Sequence, residues 1–265
     1  MKIRYLIAIL ILLFIKNVKA QEGKFIDFIA IGHFSNIVND YDSYYGPYNG
    51  LGFDFEVPQT FSYGGQLLYT QMSEGYIGFK TGLSFLNYAQ DFSSKVELAR
   101  DDSIAYNARL NVQQFSIPLL VNFAINSGSS TDRVYFNMNF GFQLNYLTGA
   151  NFNITTDRPY NSVTDFEFNE YFHRLGASYI LGLELKIALG RKEKLFLIGG
   201  VHYDKTIGGI EKREKDFGQE EPRELVLPLG PLKDYDYDVP NDRMRNRMKN
   251  ETLGLRLGLS YKMFK

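Results

Sequence analysis

The side chains best suited to catalysis in this chain are its three histidines. They lie in separate segments, at His33, His173 and His202. The chemistry they favour is acyl transfer or hydrolysis, which needs a nucleophile, a base and a carboxylate within hydrogen-bond reach. Partners of the right type are Ser35, Ser178 and Asp204. No sequence signature joins these residues into a triad, so the sequence predicts a protein that is not an enzyme, with histidines in structural positions.

Neither a metal nor an organic cofactor is predicted. Three scattered histidines lack the spacing of metal ligands. Four aspartates near the end of the chain resemble part of a calcium loop: Asp234, Asp236, Asp238 and Asp242. Because this segment lacks the glycine and the closing glutamate of such a loop, we interpret it as a solvated connection.

A larger set of polar side chains alternates with apolar ones along several segments. The members with a candidate role are Arg174, Glu184, Lys186, Arg256, Asn137, Asn139 and Gln143. They could line a solute path, or they could pair with one another, since a buried charge is tolerated when it is paired and hydrogen-bonded. In a narrow barrel the sequence predicts a structural polar plug, and a narrow solute channel is the alternative.

One segment shows most clearly which element positions these side chains. Its apolar residues occupy every second position, at Val134, Phe136, Met138, Phe140, Phe142, Leu144 and Tyr146. Amides, glycine and a tyrosine fill the positions between them. A period of two over this length predicts a β-strand with one face toward lipid and the other toward a polar interior.

Eight segments of the chain have this character. We predict strands at residues 25–37, 60–71, 76–92, 113–125, 134–146, 172–189, 195–207 and 252–264. Three connections between them are short, whereas the other four span about 20 to 40 residues, an alternation typical of outer-membrane barrels. The sequence therefore predicts an all-β fold, an eight-stranded antiparallel up-and-down transmembrane β-barrel with four long extracellular loops, three short periplasmic turns and both termini in the periplasm.

A soluble barrel or sandwich is the competing interpretation, because a period of two alone does not say which face is buried. Volume separates the two cases. An eight-stranded barrel has room for little more than its own inward side chains, and the large apolar set, which includes Phe140 and Leu257, would overfill it.

The beginning of the chain predicts export. Lys2 and Arg4 precede a short apolar run, and Ala20 ends a stretch of compact residues, as in a cleaved signal peptide. We therefore predict a signal peptide at 1–20 and one barrel domain at 21–265, located in the cell outer membrane. The chain has no cysteine, so its stability must come from backbone pairing and packing rather than from disulfides. Its 29 basic and 30 acidic side chains give a net charge of -1, which makes nucleic acid an unsuitable partner.

Two long loops supply the candidate interaction residues. The first carries Tyr41, Tyr44, Tyr45 and Tyr48, which suit either a protein contact or anchoring among lipid headgroups. The last carries Arg243, Arg245 and Arg247, which suit either lipopolysaccharide phosphates or a solvated loop. Expected partners are outer-membrane lipid, lipopolysaccharide and proteins of the envelope or of a secretion machinery.

Two of the strands also resemble a known family. The segment 115–122, FSIPLLVN, and the segment 253–262, LGLRLGLSYK, are similar to the PorT-like small outer-membrane β-barrels of Bacteroidota. The resemblance implies a barrel fold, and one member type assists type IX secretion and gliding. The function it implies is a secretion-accessory or surface-interaction protein, with a lipid-modifying outer-membrane enzyme or a narrow solute channel as alternatives.

Overall fold

The computed structural model describes residues 23–37, 58–73, 76–98, 102–126, 133–156, 163–167, 169, 172–190, 193–210 and 249–264. The predicted signal peptide lies outside this set. None of the described residues belongs to a helix long and apolar enough to cross a membrane.

Nine β-strands lie within the described residues. They are β1 Gly23–Asn36, β2 Thr60–Met72, β3 Ile77–Leu98, β4 Asp102–Asn126, β5 Val134–Thr156, β6 Val163–Glu167, β7 Leu175–Leu189, β8 Leu195–Ile207 and β9 Glu251–Phe264. Along most of them an exposed apolar residue alternates with a buried residue that is either polar or apolar, as in β7 and β8. This alternation follows directly from the period-two pattern, because successive side chains of a strand point to opposite faces.

Eight of these strands close into a barrel. Each pairs antiparallel with its neighbours in chain order, β5 pairs with β7, and the pairing of β1 with β9 completes the ring. The short β6 lies outside the ring and pairs only with the outer part of β5, for example Phe166 with Phe152. The predicted eight-stranded antiparallel barrel is confirmed.

The barrel has two different ends. At the turn end lie the short connections 73–76, 127–133 and 190–194, together with the first residues of β1 and the last of β9. At the loop end lie the connections 37–59, 99–101, 157–174 and 208–250.

One of the expected long loops is mostly strand. A connection of about 20 residues was expected between the third and fourth strands, but β3 and β4 stay paired from Asn87–Gln113 out to Leu98–Asp102, and only residues 99–101 join them. The prediction was wrong because the outward face of this segment is polar, at positions such as Arg109 and Asn111, whereas its apolar residues, such as Leu110 and Val112, are buried. A strand that projects beyond the membrane needs no apolar outward face, because backbone hydrogen bonds to its neighbouring strands hold it in place.

The outer wall carries the large apolar side chains. Phe140 is 40% exposed and Leu257 is 63% exposed, and neither lies at the centre of the barrel. Residues of this type surround the barrel on every one of its eight strands. A soluble protein rarely exposes so large a continuous apolar surface, whereas a transmembrane barrel requires one.

At the loop end β3 bends inward across the mouth of the barrel. Its ladder with β2 ends at the pair Gly64–Leu86, and side-chain bonds replace it beyond that point. The amide of Ala89 donates to Ser62 Oγ at 2.9 Å, and the amide of Asp91 donates to Thr60 Oγ1 at 2.8 Å. Ala89 also donates to Ser35 Oγ on β1, two strands away, and residues 86–90 are all buried, so this part of β3 lies across the mouth of the lumen.

Candidate functional site

The barrel interior contains a cluster of ionisable side chains. Six acidic or basic side chains other than histidines are buried among the described residues: Asp27, Lys80, Glu184, Lys186, Asp204 and Arg256. They occupy inward-facing positions of β1, β3, β7, β8 and β9, so side chains from several parts of the wall reach the axis. Three carboxylates face three cations, and their formal charges balance.

Asp27 on β1 is the first centre of this cluster. Lys186 Nζ lies 3.0 Å from Asp27 Oδ1 and 3.1 Å from Oδ2, and Lys80 Nζ lies 3.4 Å from Oδ2. Thr70 Oγ1 donates to Asp27 Oδ2 at 3.0 Å, and Lys186 also donates to Ser260 Oγ at 3.2 Å. The carboxylate is thus paired and hydrogen-bonded, which is the condition for a buried charge.

Glu184 on β7 is the second centre. Lys80 Nζ donates to Glu184 Oε2 at 2.8 Å, and Arg256 Nη1 donates to Glu184 Oε1 at 2.7 Å. Arg256 also donates to Gln66 Oε1, whose amide nitrogen donates to Ser84 Oγ. Lys80 joins the two centres, so one network connects opposite sides of the barrel wall.

Asp204 on β8 lies nearer the loop end. Gln143 Nε2 donates to Asp204 Oδ2 at 2.7 Å, and the hydroxyl of Tyr88 lies 3.4 Å from the same oxygen. Gln114 Nε2 donates to the Tyr88 hydroxyl at 2.9 Å. The bent part of β3 is therefore tied to the polar interior through Tyr88.

Glycines on the inner wall make room for the charged side chains. A Cβ at Gly182 would lie 3.1 Å from Arg256 Nη1. A Cβ at Gly200 would lie 3.2 Å from Glu184 Cγ and would overlap the backbone of Leu183. Small residues on β7 and β8 thus let the long side chains cross a lumen that eight strands make narrow.

Apolar layers lie on both sides of the charged cluster. Toward the turn end Phe25, Met72 and Phe196 pack together, with the rings of Phe25 and Phe196 5.8 Å apart. Toward the loop end Phe92 and Phe152 belong to a larger buried group, and their rings lie 6.2 Å apart. The interior is therefore less polar than the strand pattern predicts, because inward positions near both ends are aromatic.

Most of the predicted plug residues lie inside the barrel. Glu184, Lys186 and Arg256 belong to the network, and Gln143 binds Asp204. The amides of Asn137 and Asn139 are fully buried, but no described residue hydrogen-bonds to them.

Arg174 is an exception. It has the inward phase of its strand but is exposed, because β7 begins only at Leu175 and not at Phe172 as expected. The predicted loop residues lie outside the described part of the chain: Tyr41, Tyr44, Tyr45, Tyr48, Arg243, Arg245 and Arg247.

Asp27 is the site residue that sequence reasoning missed. Its inward neighbours on β1 are Phe25, Ile29 and Ile31, which made the inner face look like an outer one. The signal that could have found it was its charge. Asp27 is the single carboxylate of β1, and other strands carry inward-facing lysines. A buried lysine such as Lys186 requires a counter-charge on another strand.

The histidines do not form a catalytic site among the described residues. The rings of His33 and His202 lie 6.0 Å apart, while His173 is exposed beyond the start of β7. Ser35 Oγ is engaged with Ser62 Oγ at 2.9 Å and with the backbone of Ala89. Neither nitrogen of His33 meets a serine hydroxyl or a carboxylate. Within the described part of the chain, no group of three or more metal-ligating side chains is present.

Comparisons with known proteins give one family match. Residues 28–206 match the family described as outer membrane protein beta-barrel domain. No curated protein matches the chain.

Solved structures similar to the chain have low sequence identity to it. OprG from Pseudomonas aeruginosa is 13% identical and covers 93% of this chain and 99% of its own, with a TM-score of 0.37. Neisserial surface protein A is 9% identical over 91% of this chain and 98% of its own, with a TM-score of 0.37. Ail of Yersinia pestis, solved with the heparin analogue sucrose octasulfate, is 11% identical over 91% of this chain and 100% of its own, also at 0.37.

Proposed function

The chain belongs to the family of outer membrane protein beta-barrel domains, and from this premise we propose that it is a closed, non-catalytic barrel that acts through its loop end. In this proposal the loop end of the barrel faces the cell exterior and both termini lie in the periplasm. The observation that carries the proposal is the sheet extension, in which β3, β4 and β5 continue well beyond the length of the other barrel strands.

The closure of the lumen supports a role other than transport. Side chains of the charged cluster are almost completely shielded from solvent, and aromatic layers lie above and below them. The formal charges of the three carboxylates and three cations cancel, whereas ion-selective pores use rings of one sign. A wide diffusion channel needs about twice as many strands.

Silence in planar bilayers is the expected electrical behaviour of this barrel. The reconstituted protein should give no unitary current steps in concentrated potassium chloride, because its interior side chains fill the path. Its insertion is verified by the heat-modifiable mobility of folded barrels in gel electrophoresis, and a large porin serves as the positive control. Reproducible steps of fixed size from inserted protein would contradict the closed barrel and favour the narrow channel.

The sheet extension gives the barrel a rigid surface beyond the membrane. It consists of the outer parts of β3, β4 and β5 with β6 added at the edge. One face is fastened to the barrel mouth by Phe92, Leu110 and Phe152, which are buried. On the opposite face the described side chains of Asn107 and Arg109 are exposed, and β6 pairs with no described strand other than β5, so this face and this edge can contact another protein.

Shortening this extension should remove protein partners while the barrel itself stays folded. Ser93 and Asn107 form a backbone pair, so replacing residues 94–106 with Asn-Gly creates a two-residue hairpin at that pair. We expect proteins that copurify with the full chain from native membranes in mild detergent to be lost with this variant. Unchanged heat-modifiable mobility is the control, and an unchanged set of copurified proteins would contradict the proposal.

The finer role rests on the resemblance of segments 115–122 and 253–262 to PorT-like barrels. That resemblance supports an accessory role in type IX-like secretion, with contacts at the loop end as its physical basis. Secretion components among the partners lost on shortening the extension would support it. Envelope proteins of other kinds would favour a general surface-interaction role.

Absence of catalysis is part of the same proposal. It is supported by His33, whose ring nitrogens meet no nucleophile or carboxylate among the described residues, and by Ser35, whose hydroxyl is engaged by Ser62. A lipid-modifying enzyme would require such a group of residues close to the lipid-facing wall.

A further inference from the structure

A cavity of about 620 Å³ lies at the loop end of the wall formed by β8, β9 and β1. The lining residues that matter here are Phe34, Leu253, Tyr203, Lys205, Glu251 and Lys249. It is separate from the charged cluster of the lumen. None of its lining residues belongs to the ion-pair network described above.

The strand register arranges most of these side chains in two rows on the outer wall. Leu253 pairs with Phe34 on one side and with Tyr203 on the other, which gives an apolar and aromatic row. Glu251 pairs with Asn36 and Lys205, which gives a polar row two residues nearer the loop end, about 7 Å along the strands. The cavity therefore lies where the apolar band of the barrel gives way to polar side chains.

A hydrogen-bonded pair holds the polar row in place. Lys205 Nζ donates to Glu251 Oε2 at 2.8 Å, and the hydroxyl of Tyr203 donates to Glu251 Oε1 at 2.6 Å. Tyr203 thus joins the two rows, with its ring in the apolar one and its hydroxyl in the polar one, as interfacial tyrosines do.

The charges of the described residues that line the cavity do not cancel. Lys205 and Lys249 are cationic and Glu251 is anionic, and Glu251 is engaged by Lys205. No carboxylate among the described residues lies within ion-pair distance of Lys249. A suitable ligand therefore brings one or two negative charges to the polar row and an apolar part to the row below.

We propose that this cavity binds a membrane lipid whose headgroup carries an uncompensated phosphate. Lys249 and Lys205 contact the phosphate oxygens, and Phe34 and Leu253 contact the upper part of an acyl chain. A lipid in the leaflet around the loop end meets both rows without leaving the bilayer, whereas a free anion meets only one of them. The aromatic ring of Tyr203 lies at the level where headgroup and chain join.

Native mass spectrometry of the full chain in detergent, titrated with phosphatidic acid, tests the site. Lys249→Gln should weaken binding about tenfold, the loss expected for a hydrogen bond between charged groups. Glu251→Gln should strengthen binding, because it removes the carboxylate that competes for Lys205. Lys24→Gln is the matched control, since Lys24 is an exposed lysine at the turn end and should leave binding unchanged.

Two competitors identify the ligand class. Inorganic phosphate in large excess should fail to displace phosphatidic acid, and zwitterionic phosphatidylcholine should bind more weakly than phosphatidic acid. Displacement by inorganic phosphate would overturn the lipid assignment in favour of a simple anion site. Equal losses in Lys249→Gln and Lys24→Gln, or equal binding of the two lipids, would overturn the site itself. Misfolding cannot imitate the expected pattern, because a misfolded variant would bind lipid more weakly, whereas Glu251→Gln should bind it more strongly.

Discussion

Replacing Glu184 with glutamine should lower the free energy of unfolding by about 3–5 kcal/mol, the cost of leaving buried charges without their partner. Glu184 accepts hydrogen bonds from both Lys80 and Arg256, and all three side chains are inaccessible to solvent. The substitution keeps the shape of the side chain but removes its charge. Lys80 would keep only Asp27, which it already shares with Lys186, and Arg256 would have no carboxylate partner among the described residues.

The expected loss does not mean that the ion pairs stabilise the barrel relative to an apolar interior. Burying each charge costs several kcal/mol, and the pairing roughly offsets that cost. When one partner is removed, the other charge still carries its burial cost but no longer gains the pairing energy that offset it. For this reason Glu184→Gln combined with Lys80→Met should be more stable than Glu184→Gln alone, since one carboxylate and one cation are removed together.

Urea unfolding of the refolded protein in phosphatidylcholine vesicles, followed by circular dichroism, measures this effect. Glu251→Gln is the matched control, because it breaks a carboxylate–lysine pair at the half-exposed rim and should cost only about 0–1 kcal/mol. Equal and small losses in Glu184→Gln and Glu251→Gln would mean that water reaches the cluster. The closed interior would then be wrong.

The wall of the barrel is largely predictable from the sequence. The alternation from Val134 to Tyr146 specifies both the strand and its outward face, because a shift by one residue would turn every side chain to the other side. The alternation also stops at the turns, which were predicted at 72–75, 126–132 and 190–194 and lie at 73–76, 127–133 and 190–194.

The loop end was less predictable. Residues 87–98 and 102–113 pair with each other, and their outward face lacks the apolar residues by which the membrane strands were recognised. The bend of β3 over the mouth depends on hydroxyls of Ser35, Ser62 and Thr60 that replace a missing ladder. Single hydroxyls of this kind are too common in sequences to predict such a bond.

The charged cluster was predictable in type but not in its pairs. Glu184, Lys186 and Arg256 have a polar phase that predicts an inward position. Which cation meets which carboxylate depends on the stagger between strands around the closed ring, and the strand pattern does not fix that stagger. Asp27 was missed because aromatic and aliphatic residues share its face of β1.

Substitution of Leu183 with arginine tests the central claim, that the apolar wall faces hydrocarbon. Leu183 lies near the middle of β7 and is 43% exposed. If its surroundings are lipid, the arginine must enter the centre of the bilayer, which costs about 2–4 kcal/mol in transmembrane barrels. Leu195→Arg is the matched control, because Leu195 begins β8 at the turn end and should cost about 0–1 kcal/mol near the interface.

Unfolding of both variants in vesicles gives the decisive comparison. The lipid-facing wall predicts a loss of about 2–4 kcal/mol for Leu183→Arg and a much smaller loss for Leu195→Arg. A wall that faced water would accept arginine at both positions within about 0.5 kcal/mol. Equal and negligible losses at Leu183 and Leu195 would therefore contradict a membrane-spanning barrel.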